Sequence, residues 1–87
     1  MRHFATPDFW VSFNKLPESI QNLARKKYQL LNEDPSHHSL HFKKVKKVKK
    51  FRSVRIGIQY RALGIEADSD VVWFWIGSHS DNDRLIS

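Results

Sequence analysis

Phe51-Arg52-Ser53-Val54-Arg55-Ile56-Gly57-Ile58-Gln59-Tyr60-Arg61-Ala62-Leu63-Gly64-Ile65 is the stretch on which the fold turns. Over residues 51–57 apolar and polar side chains alternate: Val54 and Ile56 fall on one side, Ser53 and Arg55 on the other. That period of two is the mark of a half-buried strand. Gly57-Ile58-Gln59 supplies a turn or bulge, and residues 60–65 return as a second strand. Asp68-Ser69-Asp70 marks the next hairpin, and Val71-Val72-Trp73-Phe74-Trp75-Ile76 is apolar on both faces, as a central strand covered on both sides must be.

Upstream the period is helical. Thr6-Pro7-Asp8 combines a hydroxyl N-cap, Pro at the first helical position and a carboxylate in the first turn. Phe9, Phe13 and Leu16 then recur on one helical face. Leu16-Pro17 breaks this helix and starts a second, with Ile20, Leu23, Ala24 and Leu31 as its apolar stripe and Glu33-Asp34-Pro35-Ser36 as its end. Leu40 and Phe42 alternate and predict a strand that runs into a bulged, mobile basic loop, where the valines of residues 43–50 fall every third position. Residues 77–87 read as a polar tail whose Leu85-Ile86 docks on the core. The expectation is a single α+β domain over residues 1–87, an N-terminal helical hairpin packed on an antiparallel sheet of three to four strands.

With 87 residues and no cysteine, the chain has neither a disulfide framework nor thiolate metal sites. No apolar run approaches the ~20 residues of a membrane span, and the N-terminus lacks the apolar core of a signal peptide. These features predict a cytoplasmic protein that does not engage membranes. The net charge of +6 is unevenly placed. Residues 41–61 hold nine basic side chains and no acid: Lys43, Lys44, Lys46, Lys47, Lys49, Lys50, Arg52, Arg55 and Arg61. The remainder carries six basic and nine acidic residues, a net of −3. A concentration of this kind draws a polyanion to one face. Two plainer readings stand beside it: a solvated lysine face that protects a sheet edge, and cross-strand pairs of Arg55 and Arg61 with Glu66 or Asp68. His37, His38 and His41 match no common zinc spacing and lack further ligands, so neither a metal nor another cofactor is expected.

Several pieces, in order, resemble the RelE/ParE superfamily of toxin–antitoxin toxins. They are Leu16-Pro17 before a basic helix, Asp34-Pro35 leading into Leu40-x-Phe42, Ser53-Val54-Arg55, Tyr60-Arg61-Ala62, and Trp75-Ile76-Gly77-Ser78-His79 followed by Asp83-Arg84. The resemblance implies a twisted antiparallel sheet and a toxin neutralised by an antitoxin protein, with a heterotetramer as one assembly. It also implies metal-independent cleavage of messenger RNA on the ribosome, or, in ParE-like members, action on DNA gyrase.

Such cleavage needs a base for the 2′-hydroxyl, cations for the charge on the phosphate and an acid for the leaving oxygen. Arg55, Arg61 and His79 are the catalytic candidates. Lys43, Lys44, Lys46, Lys47, Lys49, Lys50 and Arg52 are the RNA-binding candidates. Asn82 departs from the family pattern, which commonly has an aromatic, usually Tyr, three positions after the His. An amide neither stacks on a base nor transfers a proton near neutral pH, so a binding protein without cleavage, or a gyrase inhibitor, is the alternative reading.

Overall fold

The alternating stretch forms the middle of a five-stranded sheet. The computed structural model describes residues 2–86, the side chains of Asp83, Leu85 and Ile86 excepted. In chain order it comprises β1 (His3–Ala5), α1 (Pro7–Asn14), α2 (Glu18–Glu33), a 3-10 turn (His38–Leu40), β2 (Lys43–Lys44), β3 (Phe51–Ile56), β4 (Tyr60–Ala67), β5 (Asp70–Ser78) and α3 (His79–Ile86). The strand order is β1-β5-β4-β3-β2. The ladders from β5 to β2 are antiparallel, while β1 runs parallel to β5. Among the described residues no helix is long and apolar enough to cross a membrane.

The N-terminal helices begin and end as their residues require. Thr6 caps α1 by accepting a hydrogen bond from the Phe9 N–H at 3.2 Å. Lys15, Leu16 and Pro17 separate α1 from α2. The Gln21 side chain then donates to the carbonyls of Phe13, at the end of α1, and of Leu16, in the connection, and so ties the start of α2 to the turn before it. Phe13, Ala24 and Leu31 bury against Val54 and Ile56 of β3, Ala62 of β4, and Val71, Trp73 and Ile76 of β5. At the β3–β4 turn Gly57 takes a φ of +69° beside Leu23 of α2, a conformation an L side chain rarely adopts.

An irregularity in β5 sets which residues share a face. Leu63 pairs with Trp75 and the next residue, Gly64, pairs with Trp73, so Phe74 is the extra residue of a bulge. Trp73 and Ile76 can therefore both face the helices although they stand three positions apart, a spacing that strict alternation would send to opposite faces. The strand is apolar on both faces, as expected, but the alternation restarts at the bulge.

Four features differ from the sequence expectation. The sheet has five strands rather than three or four, because His3–Ala5 adds a strand on the outer edge of β5. Three residues are too few to display a period, and β1 is held instead by its partner: the Trp73 indole N–H donates to His3 Nδ1 at 3.1 Å and the rings stack. The C-terminal residues form helix α3 rather than a polar tail, with Ser78 Oγ accepting from the Asp81 N–H at its start. Leu40 belongs to the 3-10 turn, and His41 follows in a left-handed conformation (φ +47°), so β2 shrinks to Lys43–Lys44. Leu40 and Phe42 both still reach the core. The expected docking of Leu85 and Ile86 concerns side chains outside the described residues.

His3 gives a test of this edge. Burial, partly offset by the Asp70 carboxylate, lowers its pKa from the ordinary 6.5. The folded chain therefore prefers the neutral ring that accepts the Trp73 N–H, whereas the unfolded chain protonates it more readily. This contribution to stability is complete above pH 6.5 and is lost as the pH falls below that value. His3→Gln should show a smaller drop in melting temperature between about pH 7.5 and 5.5 than the parent. Equal drops would show that His3 is not the sensitive group.

Candidate nucleic-acid interface

The lysine segment acquires its shape from the two valines that match neither strand nor helix periodicity. Val45 is buried and Val48 half-buried, and the Val45 N–H donates to the Phe51 carbonyl at 3.0 Å while the Phe51 N–H donates to the Val48 carbonyl at 2.9 Å. The loop is thus pinned closed at Val45, Val48 and Phe51. Lys43, Lys44, Lys46, Lys47, Lys49 and Lys50 all stand exposed around it. Among the described residues none of these lysines is within salt-bridge distance of a carboxylate.

Arg52 does not belong to this surface. It alternates with Ser53 onto the side of the sheet shared by Val54, and it pairs with the Glu66 carboxylate; its side chain is only 13% exposed. The pairing foreseen for Arg55 or Arg61 with Glu66 is made by Arg52 instead.

Arg55 and Arg61 are direct partners across the β3–β4 ladder, and Gly77 of β5 is the partner of Arg61 on the other side. Beside this row runs another, Lys43, Ser53, Leu63 and Trp75, across β2 to β5. At about 4.8 Å per strand, Arg55 to Gly77 spans roughly 10 Å. The arginines are half-buried. Each donates to a nearby backbone carbonyl, Arg55 Nε to Gly57 at 3.0 Å and Arg61 Nη1 to Tyr60 at 3.1 Å. His79 follows Gly77 by two residues and opens α3, its own N–H donating to the Gln59 carbonyl in the β3–β4 turn. The structure therefore brings Arg55, Arg61 and His79 to one end of the sheet, with the lysine loop emerging from the β2–β3 edge.

Two residues join this neighbourhood that sequence reasoning had placed elsewhere. Trp75 alternates away from the helix-facing core onto the face of Arg61 and Leu63. Its ring covers the site where a Cβ on Gly77 would stand. Trp73 is a core residue, and the bulge separates the two indoles. His41 lies two residues before Lys43, at the end of a 3-10 turn that packs on β3, within reach of the charges of Arg55 and Arg61. The signal was present as the spacing of His41 from Lys43, but the pairing of Lys43 with Ser53 is needed to use it. Asn82, by contrast, is buried to 5% exposure in α3 with its Oδ1 lacking a hydrogen-bond partner. It does not offer a surface on which a base could stack.

The electrostatics agree with this placement. The His41 imidazole is exposed yet held below its ordinary pKa. Loss of hydration is the first cause, followed by the positive charges of Arg55, Arg61, Lys43 and His38.

The α+β fold, three helices and a five-stranded mixed sheet, is that of RelE-like toxins. The chain belongs to the ParE-like toxin domain family, whose model matches residues 18–83, from α2 into α3. Similar solved structures include the RelB–RelE antitoxin–toxin complex of Methanococcus jannaschii, with a TM-score of 0.76 and 13% identity over 97% of this chain and 99% of that one. YafQ of E. coli gives 0.74 and 11%, covering 94% and 98% of the two chains. A YoeB/ParE toxin from Agrobacterium tumefaciens gives 0.69 and 13%, covering 91% and 99%. No curated protein sequence is close enough to the chain to count as a match.

Gly77 is the position to probe for the Trp75 placement. A methyl group there collides with the indole, which must shift. Gly77→Ala should cost about 1–3 kcal/mol in denaturant unfolding, the range of an overpacked site, and should alter tryptophan fluorescence. A variant that unfolds and fluoresces like the parent would remove Trp75 from beside Arg61.

Proposed function

We propose that the chain is the toxin of a toxin–antitoxin pair and that it cleaves RNA, in the manner its family resemblance implies for messenger RNA on the ribosome, without a metal. The single observation that carries this reading is the Arg55–Arg61 pair on a half-buried stretch of sheet, one strand from a lysine loop. Two guanidinium forks side by side fit the oxygens of a phosphodiester and can stabilise the charge that builds there as the bond breaks. Lys43, Lys44, Lys46, Lys47, Lys49 and Lys50 hold flanking phosphates as mobile point charges. Arg52, committed to Glu66, has a structural role in this account. His79 supplies a proton-transfer group at the end of the arginine row.

RelB is seen bound to RelE in the archaeal complex of similar fold. For this chain the corresponding partner is an antitoxin protein whose docking segment is acidic or amphipathic and covers the basic face. Ribosome-bound RNA as the target places the protein in the cytoplasm.

A second reading, a protein that binds but does not cleave, including a gyrase inhibitor, is favoured by Asn82 alone. Both readings are addressed by cleavage of messenger RNA on programmed ribosomes, run beside a gyrase assay. Arg61→Ala should lower the cleavage rate about 10²-fold or more, the scale of losing one preorganised electrostatic group. Arg61→Lys should recover little, because a point charge cannot reproduce the fork. His79→Ala should cost about 10²–10⁴-fold. Binding retained with no cleavage by the parent would leave the second reading in place.

Binding has its own signature. If four to six lysines and arginines touch phosphates, the affinity for single-stranded RNA should fall with a log–log salt slope of about −3 to −4, taking ~0.7 per contact. Replacing Lys46, Lys47, Lys49 and Lys50 with Gln should flatten that slope. A slope unchanged by these substitutions would place the nucleic acid elsewhere.

A further inference from the structure

Metal-free cleavage of RNA moves two protons, one off the attacking 2′-hydroxyl and one onto the departing 5′-oxygen. The reading above gives the site one imidazole, His79. A second stands at the opposite end of the arginine row. The β2–β3 ladder pairs Lys43 with Ser53 and Lys44 with Arg52 and ends there; His41 stands two residues before it, after a 3-10 turn that packs on β3, close enough for the charges of Arg55 and Arg61 to act on its ring. Arg55 faces Arg61, and Arg61 faces Gly77, two residues before His79. The order across the sheet is therefore imidazole, guanidinium, guanidinium, imidazole.

The backbone at His41 is fixed rather than free. Leu40 on one side is fully buried and Phe42 on the other packs against Trp73, while the His41 N–H donates to the His38 carbonyl. His41 between them takes a left-handed φ of +47° and is exposed. Only a few per cent of non-glycine residues adopt this conformation, and it is more often met at functional sites than in regular structure. Glycine or asparagine fits it with less strain, so backbone geometry alone gives no reason for histidine here.

We propose that His41 is the second proton-transfer residue of this site, the general base that takes the 2′-hydroxyl proton while His79 protonates the 5′-oxygen. The inference rests on the RNA-cleaving reading above. As O2′ bonds to phosphorus, its proton passes to the His41 imidazole. The P–O5′ bond breaks, its electron pair leaves with O5′, and a proton from His79 completes the 5′-hydroxyl. The products are a 2′,3′-cyclic phosphate and a 5′-hydroxyl end, with no water, metal or redox partner consumed. Arg55 and Arg61, between the two imidazoles, carry the charge of the pentacoordinate phosphorane.

The surroundings suit a base. The charged groups facing His41 are Arg55 of β3, Arg61 of β4, Lys43 of β2 and His38 of the 3-10 turn, and all favour the neutral ring. A base must be unprotonated to act, so a lowered pKa keeps it available through neutral pH and moves the acid limb of the rate profile below the ordinary histidine range.

The test uses His41→Asn and His41→Gly, both suited to a left-handed residue. RNA binding, circular dichroism and melting temperature should stay near those of the parent, while cleavage of ribosome-bound messenger falls about 10²–10⁴-fold. The acid limb of the parent's pH–rate profile should disappear in His41→Asn, and added imidazole should restore part of the rate to His41→Gly. These results support the proposal, and imidazole rescue is one that a merely structural cap would not give. If both variants cleave at the parental rate while Arg61→Ala does not, His41 is not the base and the RNA-cleaving reading survives. Should the parent itself fail to cleave, the proposal falls together with that reading. If both variants lose their fold, the parent's pH profile decides: an acid limb at or above the ordinary histidine pKa overturns the assignment, and one below it supports it.

Discussion

The extra residue in β5 is the constraint from which the rest of the molecule follows. Without a bulge at Phe74, strict alternation sends Trp73 and Trp75 to the same face of the sheet, together with Gly77 and Val71. With it, Trp73 and Ile76 stay under the helices while Trp75 and Gly77 turn to the opposite side. One residue thus divides a uniformly apolar strand into a core half and a site half. Trp73 then holds β1 through His3 and receives Phe42 from the β2 side, so a single core indole ties both flanks of the sheet. On the far face Gly77, lacking a side chain, lets the Trp75 ring lie beside Arg61.

Charge is segregated as sharply as hydrophobicity. The Glu66 carboxylate, which sits in the sheet close to the basic strands, pairs with Arg52 on the helix-facing side. Arg55 and Arg61 are opposed across the ladder by each other and, beyond, by glycine rather than by an acid. The lysines occupy a loop whose closure depends on two valines and Phe51, so its six charges cost the core almost nothing to display. A stretch of sequence with no acid in it thus displays its lysines on one loop, while the Glu66 carboxylate is taken up by Arg52.

How much of this was legible depends on the length over which each signal repeats. The β3–β4 hairpin and both N-terminal helices could be read because alternation at Val54 and Ile56, and helical spacing at Phe9 and Phe13, extend over several residues. β1 was not legible, since three residues have no period and their strand exists only by pairing with β5. Helix α3 carried a usable sign that was passed over: Ser78 stands three residues before Asp81, the pattern of an N-cap with an acid in the first turn. For the site, Arg55 and Arg61 could be placed on neighbouring strands from sequence, because the short turn at Gly57 fixes their register. Arg52 was misassigned to the basic surface because a list of charges does not say which face each occupies, although the alternation that placed Val54 already placed it. His41 and Trp75 depended on a left-handed residue and a bulge, two features that local periodicity hides.

Local rules are broken in this fold at several positions: Asp68 takes a positive φ in the β4–β5 turn and the buried Arg52 Nη1 lacks a partner, while three further exceptions involve the arginine row, its neighbour His41 and helix α3. Like charges directly opposite in an antiparallel ladder are destabilising, yet Arg55 faces Arg61 where both are half-buried. A non-glycine residue with positive φ is uncommon, yet His41 adopts one two residues before the strand that pairs with β3. A buried amide oxygen normally finds a donor, yet Asn82 Oδ1 has none, in the helix that packs on β4 and β5. A sheet selected only for stability would replace one arginine by a carboxylate or a threonine and would place asparagine or glycine at position 41. The opposite face, with Phe13, Leu31, Val54 and Trp73, holds the core, and Arg52 on that side pairs with Glu66 while leaving its Nη1 without a partner. On the function proposed above, the guanidinium groups of Arg55 and Arg61 and the imidazole of His41 are groups that can hold a phosphodiester and move its protons.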